Sequence, residues 1–240
     1  MRRRSLFKYF TKPQYAEAFL NGEMLFRSLA YFRDYEDAIR GDEYEGTSAY
    51  RPADGLVINN LTQRTTFALQ MAFESSVKAK EIFVYCVSRT LSRELAEEFG
   101  AVACVEITNI ARLCNRVEAA LPSTAAFKAR RVEYYSPADL VGARWALPDD
   151  IATSKLDGFR RQDEFRIIFS LTDALGFEKV DCRLIDRKNR PAPKPDEHVT
   201  HSLKVESLRD ICMLHDCEAL EGPHTESEAN LLVRSTGDQK

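Results

Sequence analysis

The polar segment 161–166 leads directly into the apolar residues 167–169 and offers the clearest chemistry in the chain. Strand alternation places Gln162, Glu164 and Arg166 on one face of this segment. A carboxylate beside a fixed guanidinium keeps its charge and its orientation. Glu164 could therefore stabilise the oxocarbenium ion that forms when a glycosidic bond breaks. The alternative is cross-strand ion pairing, in which Glu164 and Arg166 share a face with solvent.

Three more polar residues stand where apolar strands end. Arg27 and Ser28 follow Phe26, and Ser88 follows the run that ends at Val87. Taken alone, these patterns favour an arginine that leaves a sheet edge for water and an ordinary turn serine.

The stretch 31–45 is dense in acidic and aromatic residues and has no clean period. It predicts a surface loop or short helix that could wall a cleft, with a solvated loop as the alternative. Asp34, Glu36 and Glu43 in this stretch could supply the carboxylates that hold a divalent metal in a nucleic-acid-processing enzyme. Only the number of acidic residues supports such a site.

Histidines and cysteines fall close together near the C-terminus, at His198, His201, Cys212, His215 and Cys217. A structural zinc site needs four such ligands that converge. The spacing is not that of paired zinc knuckles, and Cys212 lies in an apolar run. We therefore expect no metal site.

Short strands and helices must position these residues. Strands are predicted at 6–10, 24–27, 56–58, 82–87, 102–107, 127–135, 164–171 and 202–205. Helices are predicted from Pro13 with Thr11 as the N-cap, and at 91–99, 110–121 and 207–214. The segment 65–73 stays open between strand and helix.

These elements predict an α+β fold of mixed, mainly antiparallel sheets with flanking helices. Residues 1–188 are expected to form the main domain. Residues 189–220 begin with a stiff proline-rich connector and are expected to pack on that domain as a C-terminal extension. Residues 221–240 are polar and are expected to form a disordered tail.

The bulk composition of the 240 residues, with 44% hydrophobic and 30% charged residues, is that of an ordinary globular protein. A net charge of −3 disfavours a protein that coats nucleic acid. Three of the six cysteines lie in apolar runs and suggest a reducing compartment. The basic start is followed by too few apolar residues for a signal peptide, and no apolar stretch has the length of a membrane span. We expect a cytoplasmic protein without a membrane partner.

From about residue 6 to residue 169, the chain resembles a widespread bacterial family of uncharacterised proteins. The matching pieces, in the family's order, are Phe7-Lys8-Tyr9-Phe10, Met24-Leu25-Phe26-Arg27-Ser28, Cys86-Val87-Ser88, Val132-Glu133-Tyr134, and Lys155 leading to Gln162-Asp163-Glu164-Phe165-Arg166. Two departures stand out. The loop at 32–36 lacks the family's Asn and Pro, and Gln162 replaces the first Glu of a Glu-x-Glu-x-Arg motif.

The chain is also similar, more distantly, to ADP-ribosyltransferases, through the order of Arg27, Ser88 and Gln162-Asp163-Glu164. This resemblance implies an ADP-ribosyltransferase-like fold with NAD as the substrate and no metal. The implied cofactor-binding residues are Arg27, Ser28, Tyr9 and Arg166. The implied catalytic residues are Ser88, which places the nicotinamide ribose, Gln162, which orients the acceptor, and Glu164, which stabilises the ribosyl cation. Thr47-Ser48 is an alternative for the serine, and Arg33 or Arg51 for the arginine.

Three functions follow as hypotheses. The first is an enzyme that cleaves the nicotinamide–ribose bond of NAD and passes ADP-ribose to a macromolecule or to water, which the resemblance places in bacterial stress or phage defence. The second is a non-catalytic module that binds a nucleotide or a partner protein. The third is the metal-dependent nucleic-acid-processing enzyme considered above.

Overall fold

A computed structural model describes residues 5–34, 42–140, 142–188 and 196–220. The helices are α1 (Pro13–Leu20), α2 (Leu29–Arg33), α3 (Arg93–Glu98), α4 (Ile110–Ala120) and α5 (Pro148–Ala152), with 3₁₀ helices at Gly142–Ala146 and Asp157–Gln162. The strands are β1 (Leu6–Phe10), β2 (Glu23–Ser28), β3 (Thr47–Tyr50), β4 (Leu56–Asn60), β5 (Thr65–Leu69), β6 (Met71–Ser76), β7 (Phe83–Ser88), β8 (Ala103–Ile107), β9 (Ala126–Arg131), β10 (Glu133–Tyr135), β11 (Ser154–Leu156), β12 (Glu164–Ser170), β13 (Asp181–Asp186), β14 (Thr200–Lys204) and β15 (Cys212–Asp216).

An eight-stranded antiparallel sheet forms the centre of the fold. Its strand order is β14-β2-β7-β1-β8-β15, and β12 pairs with both β7 and β9. The remaining strands form a β13-β6-β3 sheet, a β4–β5 hairpin and the parallel pair β10–β11. The expected α+β class with mainly antiparallel sheets is therefore confirmed.

The main apolar core lies between one face of the central sheet and the helices α1 and α4. Its largest members include Phe19, Phe26, Leu113, Ile167 and Phe169, all fully buried. Strand alternation in β12 directs Phe165, Ile167 and Phe169 into this core, as predicted, and leaves Glu164 and Arg166 on the opposite face.

Strand β7 is paired unequally along its two edges. Strand β12 pairs with its whole length, from Phe83 to Ser88. The other edge is divided, because β2 pairs only with Phe83 and Val84, and β1 pairs only with Ser88. Beyond these points β1 continues along β8 and β2 continues along β14. A gap between β1 and β2 therefore opens beside the middle of β7.

Several local predictions need correction. Lys12, not Thr11, is the N-cap of α1, and its side chain makes no capping hydrogen bond. The predicted strand 127–135 is divided into β9 and β10 at Val132. The predicted helix 207–214 is wrong, because this segment ends in β15, which pairs with the free edge of β8.

The residues expected to form a C-terminal extension are part of the central sheet. Strand β14 pairs with β2 and strand β15 pairs with β8, so 196–220 supplies both ends of the six-strand path. Residues 189–195 and the expected tail at 221–240 lie outside the described residues, as do residues 35–41 of the acidic stretch. Among the described helices, none combines the length and the apolar composition that a membrane span requires.

Candidate functional site

A cavity of about 310 Å³ lies at the gap between β1 and β2. Four of the predicted site residues contribute to its lining from three separate parts of the chain: Arg27 from β2, Ser88 from β7, Gln162 from the end of the second 3₁₀ helix, and Glu164 from the start of β12. Tyr9 and Arg166 also line it. The geometric condition that Arg27, Ser88 and Glu164 open onto one concave site is met.

Backbone groups of β7 face this gap. The N–H of Arg89 donates to the Asp163 carbonyl on the β12 side, and the Ile82 carbonyl accepts from Leu29 on the β2 side. In an antiparallel sheet, both polar groups of one residue point to the same side, and this side alternates along the strand. Cys86 therefore presents its N–H and C=O to the gap, where the register gives it no partner residue in β1 or β2. The Lys8 Nζ atom donates to the Cys86 carbonyl at 2.8 Å.

Glu164 carries a carboxylate with one cation on each oxygen. Its Oε1 accepts from Lys155 Nζ at 2.8 Å, and its Oε2 accepts from Arg166 Nε at 2.9 Å. Burial alone would raise the pKa of this carboxyl, but Lys155 and Arg166 lower it to about 2. Glu164 therefore stays ionised at neutral pH, which suits charge stabilisation better than proton transfer.

Arg166 is shared between two carboxylates. Its terminal nitrogens bind both oxygens of Glu45, with Nη2 2.9 Å from Oε2, and Nη1 also donates to the Ala152 carbonyl at 2.8 Å. Both Arg166 and Glu45 are 1% exposed. Burial opposes the charged form of Arg166, but Glu45 and then Glu164 hold its pKa well above the usual value. The chain of groups Glu45–Arg166–Glu164–Lys155 alternates in sign and carries no net charge.

A strained turn sets Gln162 beside Glu164. Gln162 ends the second 3₁₀ helix, and its Oε1 accepts from Lys155 Nζ at 2.8 Å. Asp163 then adopts a left-handed backbone with φ of 41°. Its carboxylate accepts from Arg89 Nη1 at 2.8 Å and from Thr90 Oγ1 at 3.2 Å. These contacts offset the cost of the left-handed conformation, so Gln162 reaches the predicted face through a turn and not through strand alternation.

The hydroxyl groups of Ser88 and Tyr9 are already engaged with the protein. Ser88 Oγ donates to the Gln162 carbonyl at 2.8 Å and accepts from the Thr90 N–H at 3.0 Å. Tyr9 Oη donates to the Thr90 carbonyl and accepts from the Ser92 N–H, each at 2.9 Å. A ligand would therefore meet the ring of Tyr9 and a lone pair of Ser88, and Ser88 also holds the Gln162 backbone in place.

Cations and aromatic rings dominate the rest of the lining. The Arg27 guanidinium lies 4.0 Å from the centroid of the Tyr31 ring, and Lys8 Nζ lies 4.4 Å from that of Tyr85. Among the described lining residues, Arg27 and Lys8 add positive charge beside the buried four-group chain, whose own charges balance. Burial raises the pKa of the Cys86 thiol to about 12, so this thiol does not oppose an anion. The cavity thus suits an anionic ligand that carries a planar ring.

The predicted cofactor-binding role of Ser28 needs correction, and that of Arg166 stays a prediction. Ser28 is fully buried outside the cavity lining, and its hydroxyl accepts from the Val199 N–H at 3.2 Å. Arg166 lines the cavity, but its guanidinium serves Glu45, Glu164 and a backbone carbonyl. It supports Glu164 instead of offering its donors to a ligand.

Sequence patterns do not single out three residues of the site. Lys155 and Lys8 stand out only as members of longer segments, and Glu45 only as the end of an acidic stretch. The available signal was a lysine that stands seven positions before Gln162 and nine before Glu164. No local signal pairs Glu45 with Arg166, which lies 121 positions away.

The other candidate residues lie elsewhere. The alternatives for the arginine and serine roles are outside the cavity lining: Arg33 pairs with Asp34, Arg51 pairs with Glu74, and Ser48 is opposite Ser75 in the β3–β6 pair.

The acidic and metal-ligand candidates are likewise separate from the cavity. Asp34 contacts Arg33 and His198, and Glu36 lies outside the described residues. His215 contacts Glu106 at 2.9 Å, whereas His198 contacts Asp34 at 3.2 Å. Within the described ranges, no group of three or more His, Cys, Asp or Glu side chains is arranged to hold a metal ion.

Comparison of the chain with models of protein families, with curated proteins and with solved structures finds no match. The chemistry of the cavity is therefore argued from its own residues.

Proposed function

We propose that the cavity binds NAD and that the protein is an ADP-ribosyltransferase-like enzyme, which cleaves the bond between nicotinamide and ribose and transfers ADP-ribose to water or to a macromolecule. The observation that carries the proposal is the convergence of Arg27, Ser88, Gln162 and an ionised Glu164 on one cavity. The role in bacterial stress or phage defence stays a prediction of the family resemblance.

Charge complementarity supports this choice of substrate. Cleavage of the bond builds positive charge on the ribose, and a fixed carboxylate such as Glu164 lowers the energy of that transition state. Arg27 and Lys8 supply the positive charge that the NAD pyrophosphate requires. The aromatic lining, with Tyr9 and Tyr31 among its members, offers stacking surfaces for a planar base.

The gap beside Cys86 supports a ligand with an amide end. A carboxamide carries both hydrogen-bond donors and an acceptor. The Cys86 N–H faces the gap, and Tyr9 and Leu25 lie at the matching positions of the two separated strands and line the cavity. Nicotinamide in this gap would share the cavity with Glu164, which also lines it.

The test is release of nicotinamide from NAD, with Glu164→Gln as the variant. This nearly isosteric change removes the charge aimed at the developing cation, so we expect kcat to fall by about two to three decades. The matched control is Glu23→Gln, which makes the same change at an exposed residue paired with Lys204. Equal activity in wild type and Glu164→Gln would contradict the proposal.

A non-catalytic nucleotide-binding module is the second candidate. The specific observation in its favour is that both oxygens of Glu164 are bound to cations, which weakens the field that the carboxylate exerts on a ligand. Calorimetry with ADP-ribose distinguishes the two. Binding by the wild type without nicotinamide release favours the module, whereas release that depends on Glu164 favours the enzyme.

A further inference from the structure

The ammonium group of Lys155 is held on three sides inside the cavity wall. Its Nζ atom donates to Gln162 Oε1 and to Glu164 Oε1, each at 2.8 Å. It also lies 4.4 Å from the centroid of the Phe159 ring. The side chain is 4% exposed, so the ammonium has exchanged water for these partners. One cation therefore contacts two of the predicted catalytic residues at once.

Two residues of the small parallel sheet β10–β11 form hydrogen bonds with Glu164. Lys155 in β11 pairs directly with Tyr134 in β10. Lys155 binds the Glu164 carboxylate, while Tyr134 Oη accepts the Glu164 backbone N–H at 2.8 Å. The side chain and the backbone of Glu164 are thus both fixed by one pair of neighbouring residues, outside the central sheet that carries Glu164 itself.

Charge balance in the cavity wall depends on Lys155. Arg166 directs its terminal nitrogens to Glu45 and only its Nε to Glu164. Without Lys155, the two buried carboxylates would share one guanidinium. One of them would then gain a proton more easily, because a second like charge in a buried site disfavours ionisation.

We propose that Lys155 is the positioning residue of this site, which orients the Gln162 amide and the Glu164 carboxylate together and supplies the second cation that keeps Glu164 charged. This inference rests on the proposed function for its catalytic consequence. The other titratable groups around Glu164 and Lys155 are Arg166, Glu45 and Asp42, together with Tyr134 from β10, Asp163 next to Glu164, Cys86 in β7 and Lys8 in β1.

The variants Lys155→Met and Lys155→Arg separate charge from shape. With methionine, Glu164 should take up a proton at higher pH, so nicotinamide release should fall as the pH drops from about 7 to about 5, where the wild type stays flat. We expect kcat to fall by about two decades at the acid end and KM to change little. Arginine keeps the positive charge, so in Lys155→Arg the rate of nicotinamide release should again stay constant between about pH 7 and about pH 5.

Two control variants sharpen the result. Tyr134→Phe removes the hydrogen bond to the Glu164 backbone without changing any charge, so it should lower kcat equally at every pH. Lys204→Met makes the same chemical change at an exposed lysine and should leave the profile unchanged. If Lys155→Met loses the same factor at every pH, or if Lys155→Arg is equally defective, Lys155 has a merely structural role and the inference is wrong.

Infrared spectroscopy at a series of pH values measures protonation of the Glu164 carboxylate directly, so this test does not depend on turnover. The band is assigned as the one lost in Glu164→Gln. If the wild type does not release nicotinamide, the proposed function fails, but Glu164 should still protonate at higher pH in Lys155→Met than in the wild type. The same titration midpoint in both would overturn the inference. Should Lys155→Met not fold, Glu164 must remain ionised at about pH 4 in the wild type and in Lys155→Arg, and a protonated carboxyl there overturns it.

Discussion

Two buried carboxyl groups, Glu164 and Asp42, both interact electrostatically with Lys155 and Arg166, but their pKa values shift in opposite directions. Glu164 meets a cation on each oxygen, and its pKa falls to about 2. Asp42 is 3% exposed, and burial followed by the neighbouring charge of Glu45 raises its pKa to about 6. Its Oδ1 accepts from the Tyr44 N–H at 2.9 Å, whereas its Oδ2 has no hydrogen-bond partner among the described residues. Direct contact with a cation, and not depth of burial, decides which group stays charged.

Asp42→Asn should therefore stabilise the protein in a pH-dependent way. Folded Asp42 keeps its proton to higher pH than the unfolded chain does, so its carboxyl destabilises the fold progressively between about pH 4 and about pH 6. Asparagine retains the acceptor for Tyr44 and has no charge to bury. We expect the free energy of unfolding to rise by about 2 kcal/mol above pH 6 and to change little near pH 4.

Urea denaturation at both pH values measures this effect. Asp54→Asn, at an exposed position, serves as the control and should change the stability equally little at each pH. An equal gain at both pH values for Asp42→Asn would show that the Asp42 carboxyl is not the source of the pH dependence.

At the scale of elements, the strands that carry the site were readable from the sequence. Strands β7 and β12 are runs of apolar and β-branched residues, and their alternation correctly separates Glu164 from Phe165. The turn that precedes β12 was not readable, because Asp163 is a non-glycine residue in the left-handed region and local propensity does not favour it. Its conformation depends on contacts with Arg89 and Thr90, which follow β7 in the chain. The pairing of β7 with β12 brings them beside Asp163.

Asp163→Ala should disturb the site more than Asp163→Asn. Alanine loses both side-chain contacts and tolerates a positive φ poorly, whereas asparagine tolerates it well and keeps an acceptor. We expect alanine to lower the free energy of unfolding by about 1–2 kcal/mol and asparagine by less. Because this turn orients Gln162 and Glu164, nicotinamide release should also fall more in Asp163→Ala than in Asp163→Asn.

Activity and thermal unfolding of both variants check this prediction. Asp157→Ala, at an exposed residue at the start of the 3₁₀ helix that precedes Asp163, is the comparison for a surface ion pair and should have a small effect. If alanine and asparagine at position 163 behave alike, the left-handed turn does not limit the site.

At the scale of the whole molecule, pairing between segments that are distant in the chain explains the structural features that local sequence patterns do not predict. The apolar patterns predicted a mainly antiparallel α+β fold, but the gap beside Cys86 exists only because β1 and β2 each leave β7 for another strand. Likewise, 212–216 becomes a strand because β8 offers it an edge, and the hydroxyl and N–H of Ser28 are bound by Val199 from a distant segment. Pairing between distant segments overrides local propensity at each of these places.

Gly22, between α1 and β2, forms a backbone hydrogen bond with the C-terminal segment 196–220. Its φ is +91°, and its carbonyl accepts from the Val205 N–H at 2.9 Å. A Cβ atom here would lie 2.3 Å from the Val205 carbonyl oxygen, so alanine would force the two backbones apart. Val205, Leu208 and Ile211 contribute to the main core, and their displacement would expose apolar surface.

Gly22→Ala should therefore destabilise the protein more than Gly100→Ala. Gly100 also has a positive φ, of +58°, but its Cβ would meet nothing within 4 Å. Gly100→Ala should lose only the backbone cost, about 1 kcal/mol, whereas Gly22→Ala adds the clash and should lose at least about 3 kcal/mol. Chemical denaturation of the two variants measures the difference. Equal losses would mean that the C-terminal segment contributes little to the stability of the central sheet, because separating it from Gly22 would then cost nothing beyond the strain of the glycine position itself.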